Sequence, residues 1–338
     1  MFWSYKILQW INGLIAYNLQ CYKYKCAIKF NLKKLHLKTF YSNGKLLITA
    51  EYLVLDGAQA LAVPTIYGQF LEISESKYNE IHWKSYNSDK SIWYEANFLK
   101  DDVLNKKTDF ENPVTNTLIE ILHHADKQNP KIIAESKGFK IETKLNFPKD
   151  WGLGTSSTLI NNMAQWFEID AFELLKKAFG GSGYDIACAQ HNMPVIYQLQ
   201  NGKPVVKPTS FNPHFKEHIY FVYLNQKQSS KVAIANYLTK KTTVINLIDK
   251  INLLTQIIAT TADFDEFCAA LQTHEKELSH ILELPTVQQQ LFSDFDGTIK
   301  SLGAWGGDFI MAVSEKNPTD NFYKKGFRTV IEFNKMVL

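Results

Sequence analysis

The sequence predicts an α+β protein of two domains that meet near residue 213, and three observations carry that expectation. Between Thr39 and Asn97 the chain reads as successive strands separated by polar turns. From Asn112 onward, helical and strand-like stretches are mixed. Pro208 to Pro213 reads as a linker, and the strong strand His218–Leu224 opens a second series. Strands first and mixed elements later is the pattern of α+β architecture. The expected division is residues 1–37 as an N-terminal extension outside the fold, 38–213 as a first domain and 214–338 as a second.

The first elements are Thr39–Tyr41 and Leu46–Thr49, two strands separated by the turn-like Ser42-Asn43-Gly44. Glu51–Leu55 leads into a turn at Asp56-Gly57. Phe70–Ser74, Glu80–Ser85 and Ile92–Asn97 follow as strands, and Asn112–Asp126 as a helix. Phe139–Asn146 alternates apolar and polar residues as a half-buried strand does. Helices are expected over Leu159–Glu168 and over Ala171–Phe179, the second ended by Gly180-Gly181. Asn201-Gly202 turns between strands at Val195–Leu199 and Val205–Lys207. After the linker come helical stretches near 230–241, 244–260 and 263–282. The end reads as strand (Thr298–Leu302), glycine-rich loop (Gly303–Gly307), strand (Phe309–Ser314), helix near 319–326 and strand (Arg328–Phe333).

Composition bounds the function. With 338 residues and 45% hydrophobic content, the chain can bury a large core, and 21% charged residues argue against wholesale disorder. A net charge of +3 is near neutral for this length and gives no argument for a nucleic-acid partner, which would normally show a concentrated basic face, so none is expected. Arg328 is the only arginine. Without arginine clamps, an anionic ligand would be held by lysine, backbone N–H groups or a metal; an AT-rich genome would give the same skew. Cys21, Cys26, Cys188 and Cys268 form no metal-binding spacing and read as reduced thiols of a cytoplasmic protein. Residues 1–37 mix Trp, Tyr, Phe and Lys with no clean period. They read as a tail that does not join the fold, with an amphipathic surface anchor or an export signal as alternatives. The apolar run Ile7–Tyr17 is too short to span a bilayer, so stable membrane insertion is not expected.

The stretch that carries chemistry is Gly152-Leu153-Gly154-Thr155-Ser156-Ser157, between a strand and a helix. The first N–H groups of a helix lack internal partners and sit at the positive end of its dipole. Glycines let backbone approach an anion, and small hydroxyls add donors. The pattern proposes a polyphosphate site, with an ordinary capped loop as its alternative. No Gly-Lys-Ser/Thr follows, so it is not a Walker loop, and the third glycine of a dinucleotide fingerprint is missing.

Three further segments make the pattern specific. They are Asn43-Gly44-Lys45-Leu46-Leu47-Ile48-Thr49-Ala50-Glu51-Tyr52, Gly181-Ser182-Gly183-Tyr184-Asp185 and Gly303-Ala304-Trp305-Gly306-Gly307-Asp308. With Pro148–Ser156 they match, in order, four motifs of the GHMP small-molecule kinases (galactokinase, homoserine, mevalonate and phosphomevalonate kinases). The chain resembles that superfamily over residues 39–315, and its Gly-Tyr-Asp and terminal Asp308 look most like the phosphomevalonate and mevalonate kinase branch. Departures are Asn43 for proline, Ala50 for glycine and Trp305 for glycine. The indole of Trp305 would crowd a nucleotide or reshape the acceptor pocket.

The resemblance implies a two-domain fold: an N-terminal mixed sheet with helices and a C-terminal ferredoxin-like α/β domain. It implies a cytoplasmic enzyme that uses ATP and Mg²⁺ to phosphorylate a small molecule, in isoprenoid synthesis if the acceptor is mevalonate or phosphomevalonate. Asp185 would be the base and Lys45 would stabilise the transferring group; their alternatives are a turn aspartate and a solvated lysine. Gly152, Leu153, Gly154, Thr155, Ser156 and Ser157 would wrap the phosphates. Ser156 and Glu173 would hold Mg²⁺, though Glu173 reads equally as a solvated helix residue. Gly303, Gly306 and Gly307 would close over the nucleotide. A decarboxylase of the same superfamily and a catalytically silent binder are the competing functions. Oligomeric state stays open, a homodimer included. Asp294-Phe295-Asp296-Gly297-Thr298 spells the aspartate motif of haloacid-dehalogenase-type phosphatases but lacks the strand before it and the domain after it. His123, His124, His274 and His280 read as solvated helix histidines.

Overall fold

The computed structural model describes residues 37–226, 234–235, 237–239 and 245–338. The expected N-terminal extension and most of the helix expected near 230–241 fall outside them. The first sheet has seven strands: β1 (Lys38–Leu47), β2 (Ala60–Glu75), β3 (Glu80–Tyr86), β4 (Ile92–Leu99), β5 (Phe139–Leu145), β6 (Val195–Gln200) and β7 (Lys203–Pro208). Their order is β4-β3-β5-β2-β6-β7, with β1 on β2. The sheet is mixed, because β3 and β5 run parallel while the pairs of β2 with β5 and β6 are antiparallel.

Strand β2 shows how sequence and burial fit. Ala60–Thr65 is buried at every position, as a central strand should be, and the half that follows alternates. Pro64 cannot donate to a ladder, but its carbonyl accepts from Leu338 N–H at 3.1 Å, so the C-terminus covers this stretch. In β1, the turn expected at Ser42-Asn43-Gly44 does not occur. The strand runs through it because each polar group finds a tertiary partner. Ser42 Oγ donates to Asn162 Oδ1 at 2.8 Å, and Asn43 Nδ2 donates to His191 O at 2.8 Å and to Asn192 Oδ1 at 2.9 Å. Gly44 is needed for close approach: a Cβ there would lie 2.7 Å from Thr65 Oγ1 and 2.9 Å from Leu153 O.

Among the described residues, the helices packed with this sheet include α1 (Lys100–Leu104), α2 (Pro113–Gln128), α3 (Lys131–Glu135), α4 (Thr155–Phe167), α5 (Ala171–Ala178) and α6 (Tyr184–Gln190). Proline opens α2 at its first position, and Asn112 Oδ1 caps it by accepting from Val114 N–H at 2.9 Å. Between sheet and helices lies a core that includes Leu71, Trp83, Ile141, Leu118 and Phe167. Burying each such side chain is worth roughly 1.5–3 kcal/mol.

The second sheet comprises β8 (Ile219–Tyr223), β9 (Thr298–Ser301), β10 (Phe309–Val313) and β11 (Val330–Glu332). Its order, β11-β8-β10-β9, is antiparallel throughout. Read as 4-1-3-2, it has the split βαβ topology of ferredoxin-like domains, as expected. With it go α7 (Ile245–Thr260), α8 (Phe264–Leu282), α9 (Val287–Leu291) and α10 (Thr319–Lys324). One core cluster contains residues of both sheets, Leu61 and Tyr197 with Phe221 and Met311. The site described below lies where these elements meet.

Candidate active site

The phosphate loop follows β5 and runs into α4. Gly152 has φ +68° and Gly154 φ +90°, conformations that favour glycine. Gly154 is the N-cap residue and brings no side-chain cap, so the first N–H groups of α4 are left without one. Leu153 is buried, and its carbonyl accepts from Lys45 N–H at 3.0 Å, which ties the loop to β1. The hydroxyls expected to act together divide. Ser156 is exposed and Thr155 half-buried. Ser157 turns inward, where its Oγ donates to Gly154 O at 2.9 Å.

Lys45 reaches across this loop. Its ammonium donates to Gly152 O at 2.9 Å and sits 5.7 Å from the centre of the Tyr184 ring. Burial alone would lower its pKa, but Tyr184, Asp308 and Asp185 outweigh that and raise it. Lys45 therefore stays protonated, a stabiliser of negative charge and not a base. Asp185 stands in the first turn of α6, behind Gly183 at φ +91°. The alternative of a turn aspartate gives way to a helix that opens at Tyr184, with Gly183 as its N-cap. Burial raises the Asp185 pKa, against the opposing effects of Lys45, the Ile186 N–H and the Ser157 hydroxyl. A carboxylate raised toward neutrality is a better proton acceptor.

The third loop joins β9 to β10 and meets the first two motifs. Asp308 lies against Gly152: a Cβ on that glycine would fall 2.2 Å from Asp308 Oδ2. Gly303 and Gly306 take φ +69° and +79° with open space around them, and Gly307 N–H donates to Ala304 O at 3.3 Å. Trp305 does not crowd this space. Its backbone N–H donates to Tyr52 Oη at 2.9 Å, and its buried indole N–H donates to Pro285 O at 3.2 Å. Ala50, which stands where the family pattern has glycine, keeps the positive φ (+62°) that glycine would supply. A cavity of about 50 Å³ is lined by Leu47, Tyr52, Ser182, Tyr184 and Gly303, among others, so it touches the first motif, the Gly-Tyr-Asp loop and the third loop at once.

Lys45, the phosphate loop, Asp185 and the third loop thus converge. Glu173 is exposed in the first turn of α5, where its N–H donates to the capping Asp170 Oδ1 at 3.4 Å. Tyr184, Asp308 and Tyr52 belong to the site although the sequence reading gave them no role; each ends or adjoins a motif, which was the available signal. His274 corrects an expectation, being fully buried instead of solvated, and its Nε2 accepts from Ala50 N–H at 2.9 Å. Asp294 pairs with Lys325 at the surface, at 2.7 Å, so the phosphatase-like motif is a surface turn. Among the described residues, no helix is long and apolar enough to cross a membrane, and no group of three or more His, Cys, Asp or Glu could hold a metal.

The architecture has close counterparts among solved structures. Mevalonate kinase from Methanococcus jannaschii superposes with a TM-score of 0.66 at 14% identity, over 88% of this chain and 97% of that one. Streptococcus pneumoniae phosphomevalonate kinase, solved with phosphomevalonate and AMPPNP, gives 0.66 at 15% identity over 87% and 99%. Lactococcus lactis galactokinase, complexed with galactose, gives 0.61 at 15% over 91% and 92%. The fold is that of the GHMP kinases. No family model matches the sequence, and no curated protein does. Within the GHMP fold, three of the four motifs read from the sequence contribute residues to the cavity wall, and the phosphate loop joins them through Lys45 and Asp308.

Proposed function

We propose that the protein is an ATP- and Mg²⁺-dependent kinase that phosphorylates a hydroxyl or phosphate group of a small molecule. The observation that carries this reading is the convergence of Lys45, Asp185 and the Gly152–Ser157 loop beside a cavity that the third loop helps to line. In the proposed reaction, Asp185 Oδ accepts the proton of the acceptor hydroxyl as that oxygen bonds the γ-phosphorus and the bond to the β-phosphate oxygen breaks, releasing ADP. Lys45, held protonated, neutralises charge on the transferring group. The N–H groups at the start of α4 receive phosphate oxygens.

A bound Mg²⁺ would neutralise phosphate charge. The exposed Ser156 hydroxyl at the first turn of α4 fits a hard cation, and Glu173 on α5 would supply a carboxylate. For the acceptor, mevalonate or phosphomevalonate is our finer proposal, supported by the Gly-Tyr-Asp segment and terminal Asp308 and by the structural neighbours that act on those compounds.

Asp185→Asn tests the assignment. Turnover should fall by about 10²–10⁴, the range supplied by general base catalysis, while Mg·ADP binding stays within about threefold. Parallel loss of turnover and binding would instead make Asp185 a folding residue.

A further inference from the structure

A second group of charges lies outside the cavity, wholly enclosed. Lys300 on β9 donates to Glu51 Oε1 at 2.5 Å, to Ser301 O at 2.6 Å and reaches Glu275 Oε2 of α8 at 3.2 Å. Glu275 also accepts from Ser301 Oγ at 2.6 Å. Glu51, Glu275, His274 and Lys300 are 1%, 3%, 0% and 0% exposed. Two of their polar atoms, Glu51 Oε2 and His274 Nδ1, have no hydrogen-bond partner among the described residues. A buried, incompletely satisfied ionic group costs stability relative to apolar packing. Its presence asks for another explanation.

The position of Glu51 supplies one. It is flanked by Ala50 at φ +62° and by Tyr52 at φ +64° and ψ −46°, the centre of a γ-turn closed by Leu53 N–H on Glu51 O at 2.7 Å; such positive-φ conformations cost a residue with a side chain about 1–3 kcal/mol. This strained tripeptide is held on three sides. Ala50 N–H is bonded by His274, Glu51 by Lys300, and Tyr52 Oη by Trp305 N–H. Lys300 stands three residues before Gly303, and Trp305 lies within the third loop. Two consecutive residues of the first motif therefore grip the third loop at its base and at its tip. Backbone strain fixed by surrounding structure marks positions where geometry matters to function.

We propose that Glu51, Lys300 and Glu275 form an interlock that positions the Gly303–Gly307 loop against the first motif and thereby sets nucleotide affinity. The proposal rests on the kinase reading above. None of the three residues lines the cavity; they are positioning residues. In keeping with this, burial first and Glu275 second raise the Glu51 pKa to about 7 against the pull of Lys300.

Equilibrium binding of Mg·ADP to the full chain tests this, since it needs no acceptor. Glu51→Ala should weaken binding about tenfold, equivalent to ~1.4 kcal/mol. Glu51→Gln, which keeps an acceptor for Lys300, should recover it to within about threefold. If Glu51→Ala does not fold, the combination K300M/E51Q/E275Q, which leaves no unpaired buried charge, should fold yet bind about tenfold more weakly. A folded E51A or triple variant that binds Mg·ADP as the wild type does would overturn the interlock and leave the kinase reading standing. Wild-type protein that does not bind Mg·ADP would overturn both.

Discussion

Two lysines of this molecule each stand among acidic groups, and they serve different ends. Lys45 interacts with Asp185 and Asp308 where three loops meet a cavity. Lys300 sits between Glu51 and Glu275 with no exposure, and the protein takes up its donors. The charges are alike; the surroundings are not. In the first group the carboxylates open α6 (Asp185) and end the third loop (Asp308), whose Gly303 and Gly306 have open space around them. In the second they lie on packed elements that leave none. The comparison teaches that a lysine among carboxylates is read by what encloses it. An accessible group can act on a substrate, whereas an enclosed one can act only by holding backbone in place.

Replacing each lysine sharpens that contrast most. Lys45→Met should lower kcat by about 10²–10³, as loss of a charge-stabilising donor does, with modest effect on unfolding in denaturant. Lys300→Met should do the reverse. It leaves Glu51 and Glu275 facing each other without a cation, and urea titration should show a loss of about 3–5 kcal/mol. Similar stability losses for the two variants would erase the distinction drawn here.

Gly152→Ala touches the active group alone. The new methyl meets the Asp308 carboxylate and sits on a residue at φ +68°, so a stability loss of about 1–2 kcal/mol should accompany weaker nucleotide binding. Unchanged affinity would show that contact between the second and third motifs is not needed for binding.

The enclosed group should reveal itself through pH. Glu51 binds its proton more tightly folded than unfolded, so its contribution to stability is present at low pH. That contribution is lost as pH rises from the ordinary glutamate range through about 7. Of the groups facing it, His274, held uncharged by burial with Lys300 adding to it, gives an opposing trend, since stability rises with pH up to the ordinary histidine range; that trend is common to wild type and Glu51→Gln and cancels in their difference, while the raised Lys300 pKa lies above the window. Thermal unfolding of wild type should therefore lose ground against Glu51→Gln between about pH 5 and pH 8. Parallel curves would remove Glu51 from the account. The smallest effect belongs to Asp294→Asn, which breaks an exposed pair with Lys325 and should change neither melting temperature nor activity measurably.

Much of this was legible in the sequence. Polar turns between strand-like runs marked β3 and β4, alternation marked β5, and a helix was expected over Asn112–Asp126, where α2 stands. The four motifs named the loops that converge. What escaped was decided by partners far along the chain. Ser42-Asn43-Gly44 reads as a turn until Asn162, His191 and Asn192 take up its polar groups. His274 reads as a surface histidine until the N–H of Ala50 meets its ring, 224 residues away in sequence. The indole of Trp305 threatens the nucleotide space until Pro285 draws it aside. Local pattern reports secondary structure and loop chemistry well, but it cannot report which distant group will satisfy a buried polar atom.

The central claim is tested most directly by ADP release from the wild-type protein with ATP and Mg²⁺, across mevalonate, phosphomevalonate, mevalonate diphosphate, homoserine and simple sugars. The account predicts release that depends on an acceptor and is greatest with mevalonate or phosphomevalonate. Tight Mg·ATP binding with no acceptor-dependent release from any of them would contradict it and favour a silent nucleotide-binding protein.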